Sequence, residues 1–278
     1  MMIENQKITV IGMGVTGVAV ANFLSRRNAH VTLIDQRRKK QLANIGAGLV
    51  PSVRIVFETS VPSNDSDCVI LSPGVDINSP SLDKINSRDI PIISEIELAF
   101  RFDHTPIVAI TGTNGKTTTT SLVGKLLEAG GKSIGVGGNI GTPFITLVGK
   151  NKFDYLVLEV SSFQLEAIKS FRPKIAAILN LSPDHLDRHK TFERYVALKG
   201  NISLNQTLED FLILNADDPE VLRLGEGRSV KKLFFSQKCE VGKGAWIRDG
   251  IIRVRIVNDE FSVCPVRSLP QVMQWQVE

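Results

Sequence analysis

Cysteine is scarce: three residues in 278, Cys68, Cys239 and Cys264, with neither paired nor zinc-like spacing. This excludes a disulfide framework and a cysteine zinc knuckle, and it reads as packing thiols in a reducing cytosol. Long apolar runs are also missing. None approaches the roughly 18 residues of a membrane span. The opening "MMIENQKITVIG" has Glu4 and Lys7 where a signal peptide would begin its apolar core, so no secretory leader is expected. There is no internal repeat and no low-complexity tract. Charge of one sign is not concentrated either. Net charge is +4 and the pI about 9.0. That mild excess suits anionic small molecules and carries no nucleic-acid signature. The longest basic cluster, "QRRKK", Arg37 to Lys40, reads as a solvated face or, because it follows a strand, as part of a ligand site.

What is present is an alternation of apolar strand-like runs with helical patterns, the sign of βαβ units and a parallel sheet. "KITVIG" leads into a helix expected over Val15–Arg27, then the strand "HVTLID". "CVILSPG" and "PIIS" follow. Ser94 and Glu97 in "SEIELAF" have the spacing of a helix capping box. "RFDHTP", Arg101 to Pro106, is polar and broken by proline, and a domain boundary is expected there, giving domains 1–103 and 104–278. A second α/β series opens at "IVAITGTNGKT". Its first helix puts Leu122, Val123, Leu126 and Leu127 on one face and stops at Gly130–Gly131. Strands are expected at "SIGVGG", "YLVLEVSS", "IAAILNLS" and "FLILNADD". "WIRDGIIRV" reads as a hairpin turning at Asp249–Gly250. The fold class is α/β: a Rossmann-like parallel-sheet domain, then a P-loop-type α/β domain.

Two glycine loops carry the chemistry. In "VIGMGVTG", Gly12, Gly14 and Gly17 match G-x-G-x-x-G, and Asp35 ends the next strand where a ribose-binding acid would sit. On these residues alone, NAD binding and a purely structural strand–helix packing role both stand. The second loop, Gly112, Thr113, Asn114, Gly115, Lys116, Thr117, followed by Thr118, lies between strand and helix. Its backbone N–H groups can converge on phosphate oxygens at a helix N-terminus. Lys116 would meet the β/γ-phosphates and the Thr117 hydroxyl would ligate Mg²⁺. The usual G-x-x-x-x-G-K-[ST] is shortened here, because Ile110 stands at the first glycine. Glu159 closes the strand in "LEVSSFQLE" and is the carboxylate expected to anchor Mg²⁺ beside such a loop. "LNLSPDHLDRH" gathers Asn180, Asp184, His185, Asp187 and His189. Hard oxygens dominate and no cysteine is near, which suits Mg²⁺ better than zinc. Lys199, in "TFERYVALKGNI", sits in an ordinary amphipathic pattern and nothing in composition marks it.

"TGTNGKTTT", "GGNIGTP", "EVSSFQLE", "NLSPDHLDRH", "YVALK" and "LNADDP" occur in an order and spacing that resemble the Mur ligases, the ATP-dependent amide-forming enzymes of peptidoglycan precursor synthesis. "SSFQLE", "GGNIG" and "GMGVTG" most resemble the D-glutamate-adding branch. The resemblance implies that the first glycine loop holds the UDP of a substrate rather than NAD. Val15, Thr16, Asp35, Gln36 and Arg37 would line the uridine pocket. Ser72, Pro73 and Gly74 would lie by the pyrophosphate or sugar, and Asn139, Ser161 and Gln164 would reach further along the substrate. It also singles out Lys199, which the resemblance implies to be carbamylated by CO₂ and to share a second Mg²⁺ with His185, while Thr117 and Glu159 hold the first. The implied reaction joins D-glutamate to UDP-N-acetylmuramoyl-L-alanine at the expense of ATP, through an acyl phosphate, with Lys116, His185 and Lys199 in catalytic roles. A cytoplasmic monomer in a bacterium is implied.

The family's usual C-terminal stretch "LPGxHNxxNxxAA" is replaced by "SLPQVMQWQVE". The expectation is therefore a chain lacking the C-terminal ligase domain, with an incomplete ATP and D-glutamate site, that does not turn over alone. A non-catalytic UDP-sugar-binding remnant, an NAD-dependent oxidoreductase, and the sister ligases including folylpolyglutamate synthase are the alternatives. "SSFQLE" argues against the last, and the phosphate loop with Glu159 argues against the oxidoreductase.

Overall fold

The computed structural model describes residues 3–41, 48–139, 141–150, 152–256 and 259–269. The chain forms two compact units, each interrupted in sequence: residues 1–107 with 117–172, and residues 108–116 with 173–278.

The first unit opens with β1 (Lys7–Ile11), α1 (Val15–Ser25), β2 (His30–Asp35), β3 (Arg54–Phe57), β4 (Cys68–Leu71), α2 (Asp83–Asn86), β5 (Ile92–Ser94) and α3 (Glu95–Phe100). These five strands pair in the order β3-β2-β1-β4-β5, all parallel. Strands such as "CVIL" are apolar and buried throughout because both faces of a parallel sheet are covered. One apolar cluster joins Ile11, Ile34, Val69, Leu71, Leu82, Ile85 and Ile92. The chain order reverses direction at β1, so β1 and β4 border a crevice at their carboxyl ends, where open α/β sheets bind ligands. Helix α1 ends at Ser25, two residues short of the expected Arg27. Asn28 takes a left-handed φ of 62° and the Ala29 N–H turns back to the Leu24 carbonyl, closing the helix.

Further along the chain come β6 (Ile107–Thr111) and α4 (Lys116–Ala129), where the chain passes between the units at Lys116–Thr117. The first unit continues with β7 (Ile134–Gly138), parallel to β8 (Tyr155–Glu159), and α5 (Ser162–Leu165). Leu126 of α4 does not join the packed face expected for it. It is 62% exposed, and the fully buried positions of α4 are Thr120 and Gly124. A Cβ on Gly124 would lie 2.8 Å from Val136, so a close approach of the helix backbone, rather than a leucine stripe, makes this contact.

The second unit holds β6 beside β9 (Ile175–Ile178), then β10 (Phe211–Asn215), β11 (Lys231–Ser236), β12 (Gly244–Arg248), β13 (Ile251–Ile256) and β14 (Asp259–Pro265). Pairing is parallel as far as β12 and antiparallel from β12 to β14. Helices α6 (Leu186–His189), α7 (Phe192–Gly200) and α8 (Pro219–Gly225) complete it. The β12–β13 hairpin turns at Asp249 and Gly250, both with positive φ (53° and 69°), which is the twist a two-residue hairpin needs. The sequence from 270 onward lies outside the described residues. Among the described residues no helix is long and apolar enough to cross a membrane.

Candidate functional site

At the carboxyl ends of β1, β2 and β4 lies a cavity of about 620 Å³. Val15 and Thr16 reach it from the start of α1, Asp35–Arg37 from the end of β2, Ser72–Gly74 from the end of β4, and Asn139 from the end of β7. The glycine loop forms its floor. A Cβ on Gly17 would stand 1.8 Å from the Gly12 carbonyl oxygen, so helix and loop close on each other only with glycine there. Gly14 has open space around it and leaves room for a ligand.

Asp35 is buried and fully engaged. Its Oδ2 accepts from the Met13 N–H (2.7 Å) and Arg37 Nη2 (2.8 Å), and its Oδ1 from the Arg37 N–H and Nε, both 2.9 Å. These are about the four bonds a carboxylate can accept. The Arg37 guanidinium holds the Asp35 carboxyl down to about 2. Asp35 therefore braces the glycine loop and orients Arg37 into the cavity, with no acceptor left for a ribose hydroxyl. Arg38, next in the basic cluster, pairs with Glu58 at 3.2 Å on the surface.

Ser161 and Gln164 do not line this cavity. They form a capping box at the start of α5: Ser161 Oγ accepts from the Gln164 N–H, and Gln164 Oε1 accepts from the Ser161 N–H at 3.0 Å. Gln164 instead borders a narrow crevice with Ser72 and Pro73, which the larger cavity also touches. The capping box expected at Ser94 and Glu97 is absent. Ser94 has N-cap backbone geometry but no side-chain cap bond. The Glu97 carboxylate turns away to the N–H groups of Lys169, Ser170 and Phe171 (2.8–2.9 Å) and to the Ser170 hydroxyl (2.6 Å).

In the first unit, Glu159 is buried at the end of β8. Its Oε2 accepts from the Thr117 hydroxyl (2.7 Å) and its Oε1 from Asn139 Nδ2 (2.8 Å). The Asn139 N–H also bonds the Glu159 carbonyl at 2.8 Å. This puts a hydroxyl and a carboxylate together, hard oxygen donors of the kind Mg²⁺ takes alongside phosphate oxygens, with the Asn139 amide nitrogen orienting the carboxylate. Among the described residues no three His, Cys, Asp or Glu converge to make an all-protein metal cage.

In the second unit, the loop from Gly112 to Lys116 is pinned by Asn180. Asn180 Oδ1 accepts from the Asn114 N–H (2.8 Å), Nδ2 donates to the Asn114 carbonyl (3.1 Å), and the Asn180 carbonyl accepts from the Thr113 N–H (2.9 Å). Gly115 takes a left-handed φ of 77°. Asn114 and Gly115 are exposed, and Lys116 Nζ folds back to the Thr113 carbonyl at 2.8 Å. Thr118 is half-buried in the first turn of α4. Lys199 is only 2% exposed, and its Nζ donates to the Gly112 carbonyl at 2.7 Å, 4.8 Å above the Tyr195 ring. The Tyr195 hydroxyl lies 3.0 Å from Thr113 Oγ1, and its ring packs on buried His189. Burial, then the neighbouring Arg188, His185, Arg194 and Lys199, lowers the His189 pKa. His185 is exposed, at a left-handed φ of 51°, with Nε2 3.5 Å from Asp184. Asp187 is also exposed.

Residues 110–274 match the Mur ligase middle domain, and residues 6–94 match the N-terminal domain of MurD-like Mur ligases. The chain belongs to the Mur ligase family. It is 43% identical over 274 residues to the UDP-N-acetylmuramoylalanine–D-glutamate ligase of Koribacter versatilis, with 97% of this chain and 60% of that protein covered. It is 46% identical over 262 residues to the ligase of the same name from Geobacter metallireducens, with 92% and 57% covered. The chain thus spans about 60% of the length of these curated relatives. Its fold is like that of the UDP-N-acetylmuramate:L-alanyl-gamma-D-glutamyl-meso-diaminopimelate ligase of Neisseria meningitides, with TM-score 0.57, 16% identity, and 92% of this chain and 85% of that chain covered.

Asn180, which the motif reading grouped with candidate metal ligands, pins the phosphate loop, and Tyr195, which no motif singled out, supports Thr113. The signal for Tyr195 was within reach, because it stands four residues before Lys199 and so shares its helical face.

Proposed function

We propose that the chain binds UDP-N-acetylmuramoyl-L-alanine and ATP for ATP-dependent amide bond formation with D-glutamate, through an acyl-phosphate intermediate, in peptidoglycan precursor synthesis. The observation that carries this reading is the cavity at the β1/β4 switch point, which gathers Val15, Thr16, Asp35–Arg37, Ser72–Gly74 and Asn139. Asp35, spent on the loop and on Arg37, has no free carboxylate for a ribose, while the Arg37 guanidinium it orients lines the cavity with Nη1 left to meet an anion, which supports a UDP-linked ligand.

A carboxylate is a poor electrophile at neutral pH. Phosphorylation by ATP turns it into an acyl phosphate, and the D-glutamate amine then displaces phosphate. Transfer between two anions is chiefly a problem of charge, so positioning and electrostatics dominate. The exposed Gly115 amide is open to a phosphate oxygen while the Asn114 N–H stays on Asn180 Oδ1, and Lys116 exchanges its Thr113 carbonyl for phosphate. Thr117 and Glu159 would hold one Mg²⁺, and His185 with carbamylated Lys199 the other; the two ions supply positive charge against the phosphates. Lys199 fits that modification in one respect: a carbamate keeps one N–H, enough to retain the bond to the Gly112 carbonyl. Ser161 and Gln164 act on the far end of the substrate from α5. The boundary between a UDP-substrate domain (1–103) and an ATP domain (104–278), a monomeric state, and a bacterial cytoplasmic setting belong to the same reading.

Calorimetric titration with UDP-N-acetylmuramoyl-L-alanine, with NADH in parallel, tests it. Saturable binding of the UDP compound alone supports the reading. Binding of NADH at the same cavity overturns it.

A further inference from the structure

Helix α3 carries two glutamates, Glu95 and Glu97, that are 1% and 0% exposed. Buried carboxylates are expensive unless hydrogen-bonded, so each needs a structural explanation. Both reach across to the 139–172 part of the same compact unit. Glu95 Oε1 accepts from the Ile145 N–H at 2.7 Å, and its carboxyl faces the Phe144 N–H and the Gln164 side chain. Glu97 accepts three consecutive N–H groups, Lys169 to Phe171, and is paired with Arg101 on its own helix at 2.8 Å. The Ser94 N–H adds a bond to the Ala167 carbonyl at 2.9 Å.

The segments captured in this way carry candidate ligand groups. The turn at Phe144–Thr146 follows the loop closed by the Gly138 N–H on the Thr142 carbonyl, and that loop presents Asn139 to the cavity. Gln164, which faces Glu95, is the residue whose Oε1 fixes Ser161. We propose that Glu95 and Glu97 are positioning residues that latch the Asn139 and Gln164 wall onto the β1–β5 sheet, with Glu95 as the member whose proton state sets the latch.

Two features support the different roles. Glu97 is compensated by five donors, whereas Glu95 Oε2 is buried with no hydrogen-bond partner. Burial pushes the Glu95 carboxyl up to about 7, into the working range of a cytosolic enzyme. The groups facing Glu95 are the 144–145 amides and the Gln164 amide, all uncharged. The Cys68 thiol on β4 is kept neutral by burial, and Glu97 and Arg101 on α3 neutralise each other. Among the groups named, the proton on Glu95 is thus the charge change at this joint near neutrality, and its loss leaves a buried, incompletely compensated anion that loosens the latch.

The part of this inference that concerns substrate rests on the proposed function, and the test separates the two. Amide hydrogen exchange, read residue by residue by NMR and corrected for intrinsic rates, is compared for wild type, Glu95→Gln, Glu95→Ala and Glu97→Ala from pH 5.5 to 8.5. In wild type, protection of the Ile145 amide should fall about tenfold as pH rises from 5.5 through 7, because opening releases Glu95 to water, where it ionises more easily. Glu95→Gln keeps an acceptor and should hold protection within threefold, with a flat pH profile. Glu95→Ala should lose it at every pH and shift the Asn139 side-chain resonances. Glu97→Ala should deprotect 169–171. A wild-type pH profile retained in Glu95→Gln, or unchanged Ile145 protection in Glu95→Ala, overturns the latch. Titration with UDP-N-acetylmuramoyl-L-alanine then reads the substrate part. Affinity should fall about tenfold in Glu95→Ala and recover in Glu95→Gln. If wild type fails to bind, the functional reading falls while the exchange data still decide the latch.

Discussion

Replacing Glu95 with glutamine should make the folded chain more stable at pH 8, against the usual outcome for a buried substitution. The shift from an ordinary 4.5 to about 7 means that the native state resists ionising this group. The sign follows from linkage. A carboxyl raised on folding contributes most below 4.5, where both states are protonated, and loses that contribution as pH climbs from 4.5 to about 7. Above pH 7 the penalty is constant. Raising the carboxyl from 4.5 to about 7 corresponds to about 3 kcal/mol. Glutamine has the same shape, keeps a carbonyl to accept from Ile145, and carries no charge to bury. Urea unfolding should therefore show Glu95→Gln within about 0.5 kcal/mol of wild type near pH 4.5, and ahead by about 3 kcal/mol at pH 8, with an unchanged m-value. Equal stability of the two chains at pH 8, or a difference that shrinks as pH rises, would refute the reasoning.

Other perturbations have equally definite outcomes. Asp35 is lowered to about 2, so its contribution is present above about 3.8 and lost as pH falls toward 2. Asp35→Asn should remove that acid dependence and cost about 2 kcal/mol at pH 7, measured by denaturant unfolding. Gly17→Ala places a carbon 1.8 Å from the Gly12 carbonyl and should collapse the glycine loop, read as loss of UDP binding in calorimetry. Gly250→Ala forces alanine into a φ of 69° and should cost about 1 kcal/mol with the β12–β13 pairing intact, seen by NMR. Thr117→Ala removes a hydroxyl from Glu159 and should weaken Mg²⁺-dependent ATP binding at least tenfold while leaving UDP-compound binding unchanged, both read by titration.

Much of the fold was legible because its signals are local. The two glycine loops sit between strand and helix as their spacing demands, and Asp249–Gly250 supplies the paired positive φ of its hairpin. β3, β11 and β14 were harder to read. β3 is four residues long and half-exposed, β11 opens with two lysines, and β14 opens with two adjacent acidic residues on a largely exposed strand. None shows the buried run of a central parallel strand. The Ser94–Glu97 spacing suggested a cap, yet Glu97 found better donors more than 70 residues away. Sequence spacing states what a side chain can reach locally and is silent about competing partners. Lys199 is the same lesson at the site. Its helix has an ordinary amphipathic pattern, and only the tertiary structure shows its Nζ buried against the phosphate loop. The Mur ligase motifs pointed to it by resemblance, which periodicity could not do. At the cavity the motif residues converge from three strand ends and β7, while Ser161 and Gln164 spend their side chains on capping α5.

The central claim is that the first glycine loop serves a UDP-linked substrate. The most direct measurement is a calorimetric titration of the chain with UDP-N-acetylmuramoyl-L-alanine, repeated on Arg37→Ala and matched against NADH. Saturable binding of the UDP compound that weakens at least tenfold in Arg37→Ala, with no heat from NADH, is the predicted result. NADH binding with the UDP compound silent would contradict the account.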